Sequence, residues 1–371
     1  MHDWKNCRNI LCIRADNMGD VIMTSPAIRA LKETYKCRIT LLTSKAGSLI
    51  TSHLPEIDHV LVYDLPWVKA TGHNGIDLAT LAEKISAENF DAAIIFTVYS
   101  QSALPAAMLA LMAGIPLRLA YSRENPYQLL TNWVPDREPF DYILHQVERD
   151  LKLVKNIGAI TSNDSFQITN FAGNEQSADD KLLVNGIEPA NPYMILHPGV
   201  SEDKRKYPVE LWIETGKLLA EKYKMPMLVT GSESECDIAT LVADGIGDHA
   251  FSIAGELLLG EFIAVVAKAK CIISVNTSTI HIAAATQTPI VVLYAQTNPQ
   301  HTPWKATYKM LPFSVEKTLK SSNMIVKYVA EKCYSEHLPY PSPEEVVAAA
   351  EEFLADNIAA ERTIEQAKIS H

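Results

Sequence analysis

The stretch Lys270–Ala285 constrains this chain more than any other. It opens with a short apolar run, Cys271-Ile272-Ile273-Ser274-Val275, which suits a strand buried on both faces. Small polar residues at Asn276, Thr277 and Ser278 then suit a helix N-cap, and an alanine-rich segment suits the helix. A buried parallel strand that turns straight into a helix leaves free N–H groups and a positive dipole end at the sheet's carboxyl edge. That edge is a ready site for phosphate. His281 falls one turn beyond Thr277, so both can face one ligand. An ordinary capped helix would read the same way, but the next residues add to the case. Pro289 leads into Ile290–Tyr294, a second buried strand, and Thr297–Pro299 and Pro303-Trp304 form a loop at its end. Two adjacent strand ends with polar loops make the crevice that open α/β sheets use for ligands.

The same unit recurs along the chain. Asn9–Arg14 reads as a strand, followed by a turn at Ala15–Asp20 and a helix from Val21. Gly19 permits close backbone approach, and Asp20 sits at the helix start, where a carboxylate is most often a cap. Strands follow at Ile39–Thr43, Val60–Tyr63 and Ala92–Thr97, with helices at Leu78–Glu88 and a buried one at Ala103–Ala113. Tyr121–Pro139 is loop-rich, with arginines and aromatics suited to an acceptor surface, and His145–Val154 is an amphipathic helix. A polar linker at 161–175 separates a second series. That series has strands at Tyr193–Leu196, Met227–Thr230 and Phe251–Ile253, and helices at Val209–Tyr223 and Gly260–Lys268. His197-Pro198-Gly199-Val200-Ser201 and the cluster Lys204-Arg205-Lys206 follow one strand end and suit a diphosphate. Glu235, just past another strand end, suits ribose hydroxyls.

A chain of 371 residues accommodates two such domains. The expected division is 1–160 and 175–342, with a helix within 343–371 returning to pack on the first. No apolar run reaches membrane-spanning length, and the N-terminal residues lack a signal-peptide layout. Six scattered cysteines fit a reduced, cytoplasmic protein. A net charge of −11 argues against nucleic acid as a partner. There is no G-x-G-x-x-G, Walker, H-E-x-x-H or G-x-S-x-G sequence, which weighs against dehydrogenase, NTPase, metalloprotease and α/β-hydrolase chemistry.

Arg14-Ala15-Asp16-Asn17-Met18-Gly19-Asp20, continuing to Pro26-Ala27, resembles the N-terminal signature of the ADP-heptose:lipopolysaccharide heptosyltransferases. Ala113–Pro116, His145–Arg149, His197–Gly199, Lys204–Pro208, Gly231–Glu235 and Asn276–His281 fall in matching order, so the resemblance spans about residues 9 to 304. It implies a GT-B fold, α/β with two Rossmann-like doubly wound domains facing a central cleft. It also implies inverting transfer of heptose from ADP-heptose to a lipopolysaccharide core or related glycan hydroxyl. Asp20 would be the general base, its pKa raised by a closed cleft, with Arg14 near the reacting centre and Gly19 and Arg123 on the acceptor. Gly199, Ser201, Lys204, Arg205, Lys206, Glu235, Leu257, Asn276, Thr277, Ser278 and His281 would bind the donor. No metal or cofactor is implied, the cations offsetting leaving-group charge. The implied location is cytoplasmic, with peripheral contact at the inner membrane.

The chain departs from the family pattern at two places. Asn276-Thr277-Ser278-x-x-His281 stands for Asp-Thr-Gly-x-x-His, and Arg205 and Tyr207 stand for a lysine and a tryptophan. A non-catalytic nucleotide-sugar-binding protein, or a transferase for another donor sugar, is therefore the alternative. Asp20 at the base position favours the enzyme, since a pure binder has no need of it.

Overall fold

Runs such as Ile10–Ile13, Ile272–Val275 and Ile290–Ala295 have no polar face, and the structure buries them on both sides in parallel sheets. The computed structural model describes residues 3–69, 72, 74–169, 172–319 and 321–354. They gather into two units. The first runs to Thr169 and takes in Pro299–His301 and Ser322–Val329; the second holds the remaining described residues.

In the first unit the strands are β1 (Asn9–Ile13), β2 (Arg38–Thr43), β3 (His59–Val62), β4 (Ala92–Ile95), β5 (Leu117–Ser122) and β6 (Asn132–Pro135). They lie in the order β3-β2-β1-β4-β5-β6, all parallel. The helices are α1 (Met18–Tyr35), α2 (Lys45–Ser48), α3 (Gly75–Ala87), α4 (Leu104–Met112) and α5 (Gln146–Lys155). Leu11, Ile13, Ala93 and Ile95 pack with Leu81, Ile85, Ala107 and Ala110 in one core, while α1 and α5 pack together.

The second unit repeats the order with β7 (Met194–His197), β8 (Met227–Val229), β9 (Ala250–Ser252), β10 (Ile272–Val275), β11 (Ile290–Ala295) and β12 (Tyr308–Phe313). Its sheet reads β12-β11-β10-β7-β8-β9, again all parallel. Helices α6 (Glu175–Val184), α7 (Val209–Tyr223), α8 (Cys236–Ile246), α9 (Leu259–Lys268) and α10 (Ser278–Thr286) cover it. Helix α11 (Met324–Cys333) is divided between the units. In each sheet the chain order reverses at the centre, between β1 and β4 and between β7 and β10. Open α/β sheets bind ligands at such points.

Three expectations need correction. The helix at Ala103–Ala113 is not buried all round: Met108, Leu111 and Met112 are exposed, because Ala103, Ala106, Ala107, Leu109, Ala110 and Ala113 form the face that meets the core. Tyr121–Pro139 is not all loop, since β6 adds an edge strand there. The described part of the last helix, 343–354, packs in the core of the second unit, not the first. Val346, Val347, Ala350 and Leu354 join the cluster of Met194, Trp212 and Phe313 there. Lys222 and Lys309 fasten it through Glu351 (2.9 Å) and Glu352 (2.8 Å). Residues 355–371 of that expectation lie outside the described ones. The segment that does cluster with the first unit is Ser322–Val329, where Tyr328 meets Phe140.

Candidate active site

The first site is built at the carboxyl end of β1. Arg14 follows the strand directly and still donates its backbone N–H to Leu42 (3.0 Å), so its side chain is set by the sheet. The guanidinium is fully buried. Its Nη2 donates to Asp20 Oδ1 (2.8 Å), and its Nε faces Asp16 Oδ2 (3.2 Å). Asp20 is the third residue of α1, and its Oδ2 accepts the Asn17 backbone N–H (3.2 Å), closing the first turn. The capping and site roles therefore coexist, one on each oxygen. His301 Nε2 lies 3.6 Å from Asp20 Oδ1. Gly19 is not in a turn before the helix but inside its first turn, and buried.

Burial alone would push the Asp20 carboxyl up. Arg14 and His301 outweigh it, and the net shift is downward, so Asp20 is ionised at neutral pH. That reverses the expected upward shift, because a buried guanidinium acts at hydrogen-bond distance. Asp16 moves the other way: burial raises it against the pull of Arg14, and the neighbouring charge of Asp20 adds to the rise. Gln101 Nε2 holds Asp16 Oδ1 at 2.6 Å. Behind Arg14, buried Asp150 accepts from Thr24 Oγ1 and from Gln146 Nε2, both at 2.8 Å.

Pattern reasoning missed Asp16, Asp150 and His301 as site residues. Asp16 lies within the signature heptad itself. Asp150 shows a weak signal, being a charge in phase with the buried face of α5 at Gln146, Val147 and Leu153. His301 lies in the loop after β11, and Gln300 places it. Its fully buried side-chain amide donates to Glu138 Oε1 and the Leu144 carbonyl (both 3.2 Å), and the Gln300 backbone carbonyl accepts from Gln146 N–H (3.1 Å). Arg123, expected on the acceptor, is committed to structure: it donates to the Glu138 and Tyr99 carbonyls and pairs with Asp136 (3.2 Å).

The second site gathers at the ends of β7 and β10. Gly199 lies just past β7, and the Glu235 carboxyl lies against its Cα; a Cβ there would fall 2.3 Å from that carboxyl, so a larger residue would displace Glu235 from this position. Glu235 Oε2 accepts from the Ser232 N–H (2.7 Å) and hydroxyl (2.8 Å). Burial pulls the His197 imidazole down to about 4, with Glu235 opposing, so the ring is neutral. It faces the Thr230 hydroxyl at 2.9 Å.

Helix α10 starts at Ser278 without a side-chain cap from Thr277, whose hydroxyl is buried and lacks a hydrogen-bond partner. His281 is buried on its first turn. Asn276 is spent on the sheet edge: its amide donates to the Ala295 carbonyl (3.2 Å) and Thr297 Oγ1 (3.1 Å) and accepts from the Ala295 N–H (3.1 Å).

Arg205 Nη1 donates to the Asn276 carbonyl (3.0 Å), which ties the cationic turn to this edge. Glu202 bridges Arg205 (2.7 Å) and Lys204 (2.8 Å). Lys206 is not part of the group; it pairs with exposed Asp203 (2.8 Å). Ser201 is exposed and Leu257 half-buried, each in a loop of this unit. Tyr207 is a core residue edge-on to Trp212, its hydroxyl on the Pro341 carbonyl (2.7 Å), so that departure from the family pattern falls in packing.

Twin parallel six-stranded sheets, each reversing its chain order at the centre, are the two halves of a GT-B architecture. Residues 78–334 match glycosyltransferase family 9 (heptosyltransferase), and the chain belongs to that family. It is 25% identical over 307 residues to lipopolysaccharide heptosyltransferase 2 of Escherichia coli, covering 79% of this chain and 84% of the relative. Against lipopolysaccharide heptosyltransferase 1 of the same organism it is 23% identical, covering 78% and 88%. Among solved structures, the family 9 glycosyltransferase of Veillonella parvula superposes with a TM-score of 0.76 at 19% identity, covering 95% and 98%. The E. coli ADP-heptose heptosyltransferase II gives 0.69 at 18%, covering 94% and 99%. The fold is theirs. Among the described residues no helix is long and apolar enough to cross a membrane.

Proposed function

We propose that this chain transfers heptose from ADP-heptose to a hydroxyl of a lipopolysaccharide core or related glycan, with inversion and without a metal. The observation that carries the reading is Asp20, a carboxylate kept ionised at the reversal point of the first sheet in a family 9 chain. Asp20 takes the proton from the acceptor hydroxyl as its oxygen attacks the anomeric carbon. The bond to the diphosphate breaks on the opposite face, and its electron pair leaves with ADP.

The uncapped end of α10 and the unpartnered Thr277 hydroxyl suit the diphosphate. Arg205 and Lys204 neutralise it once Glu202 is displaced, because a diphosphate offers the same acceptor oxygens with more charge. Glu235, beside Gly199, would hold the ribose hydroxyls, and Ser278 and His281 would line the diphosphate end. Metal independence rests on these cations. A lipid-anchored acceptor would bring the protein to the inner membrane by peripheral contact from the cytoplasmic side.

The test is a calorimetric panel of nucleotide-sugars, followed by turnover with core acceptors. ADP-heptose should bind and turn over in the presence of chelator. Binding of a donor with no turnover on any acceptor would instead favour the binding-protein reading.

A further inference from the structure

Thr24 has one hydroxyl proton and two acceptors. Its Oγ1 lies 2.9 Å from the Asp20 carbonyl, the ordinary back-bond of a helical threonine, and 2.8 Å from Asp150 Oδ2. A proton given to the carbonyl leaves an oxygen–oxygen contact that closes only if Asp150 carries a proton of its own. The other Asp150 oxygen accepts from Gln146.

Asp150 is buried, and Arg14 and Asp150 act on each other electrostatically. The other groups facing it are Arg149 on its own helix and Tyr121 on β5; Thr24 links it to the Asp20 backbone carbonyl, not to the Asp20 carboxylate. Arg149 is held by Asp136 and Glu138, and burial keeps the Tyr121 phenol neutral. The variable partner is therefore Arg14. This guanidinium already serves Asp16 and Asp20, and its buried Nη1 has no hydrogen-bond partner.

Resting on the heptose-transfer reading, we propose that Asp150 is a positioning residue whose ionisation, felt through Arg14, sets how readily Asp20 accepts the acceptor's proton, with Thr24 holding Asp150 one helical turn beyond Asp20. With Asp150 protonated, the Arg14 charge is devoted to Asp16 and Asp20, and Asp20 is a feeble base. With Asp150 ionised, a third carboxylate draws on the same guanidinium, and Asp20 holds a proton more readily. Burial, opposed by Arg14 and the two hydrogen bonds, pushes Asp150 up to about 6. The change therefore falls just below neutral pH.

Two measurements on the full chain test this. In the substrate-free protein, the Asp20 ¹³Cγ and Arg14 side-chain ¹⁵N resonances should shift with a midpoint near pH 6, and Asp150→Asn should abolish that step. Absence of the step in the parent protein overturns the proposal, whether or not the variant folds. In turnover, the parent should gain activity through the same pH range. Asp150→Asn should lose that limb and run roughly tenfold slower at pH 7.5, a fraction of the 10²–10⁴ a general base supplies. Its donor KM should not change. A variant with the parent's pH profile overturns the role even if the resonances shift. Failure of every donor to turn over in the parent would sink the heptose-transfer reading, and with it the part assigned to Asp150 in the reaction. The resonance step would still judge the coupling.

Discussion

The two sheets share one strand order and differ in what they place at the reversal point. In the first unit the strand ends in a buried arginine, and three carboxylates compete for it. In the second the strand ends carry a neutral histidine, a glycine and an asparagine turned into the sheet edge. Beside them is a helix end with its N–H groups uncapped by Thr277. The first arrangement sets the proton affinity of a carboxylate; the second, on the proposed reading, would receive negative charge from outside. One backbone topology therefore supports opposite electrostatics, decided by the first few residues beyond each strand.

The sharpest way to break this comparison is Asp20→Asn, which keeps the size and most of the capping. Turnover should fall by roughly a hundredfold or more while donor affinity barely moves. The melting temperature should fall too, because buried Arg14 loses a charged partner, so turnover is compared at temperatures where the variant is folded. Turnover within a few-fold of the parent would leave Asp20 a cap and the first unit without its chemistry.

Next come the two buried titratable groups, which load the units in opposite pH directions. Asp150 has its folded pKa raised to about 6 from 3.8, so its contribution to stability is full at low pH and lost as pH rises through 6. Asp150→Asn should therefore gain on the parent between pH 4 and 7, by up to about 3 kcal/mol at 1.36 per unit. His197 is lowered to about 4 from 6.5, so its contribution is present above 6.5 and lost as pH falls through 4. His197→Gln should remove that acid sensitivity. Denaturant melts across this range would show either dependence, and identical pH curves for parent and variants would refute both.

A smaller effect is expected at Arg205. Arg205→Ala should weaken ADP binding by roughly 1.5–3 kcal/mol, the range for a hydrogen bond to a charged group. Unchanged calorimetry in the folded variant would remove the cationic turn from the donor site. The smallest belongs to Thr277→Val, which keeps shape and deletes a buried hydroxyl without a partner. ADP affinity should drop by about 1 kcal/mol, with stability equal to or above the parent's. A loss of stability with ADP binding intact would make that hydroxyl structural.

The central strands and the helices after them were legible because a strand buried on both faces has no polar positions to confuse its reading. The edge strands β3 and β9 were read too, but β6 and β12 were not. β6 is four residues ending in Pro135, and β12 has only Phe313 fully buried, so neither carries a continuous apolar run. At the candidate sites, Asp20 and Thr277 were proposed from the strand–turn–helix pattern and stand at helix starts just past β1 and β10, while Arg14 was named from the family resemblance. Asp150 and His301 were not legible, since each reaches Asp20's neighbourhood only through tertiary packing. The downward shift of Asp20 was hidden for a similar reason: it depends on how deeply Arg14 is buried.

The Gln300 clamp has a consequence for modularity. Pro299–His301 belongs with the first unit although the chain around it belongs to the second. A first unit excised at the linker after Thr169 would lose the amide that satisfies Glu138, Leu144 and Gln146, and the imidazole beside Asp20 with it. A hybrid that replaced everything after Thr169 with another chain would exchange Pro299–His301 as well, so the group beside Asp20 would come from the other parent.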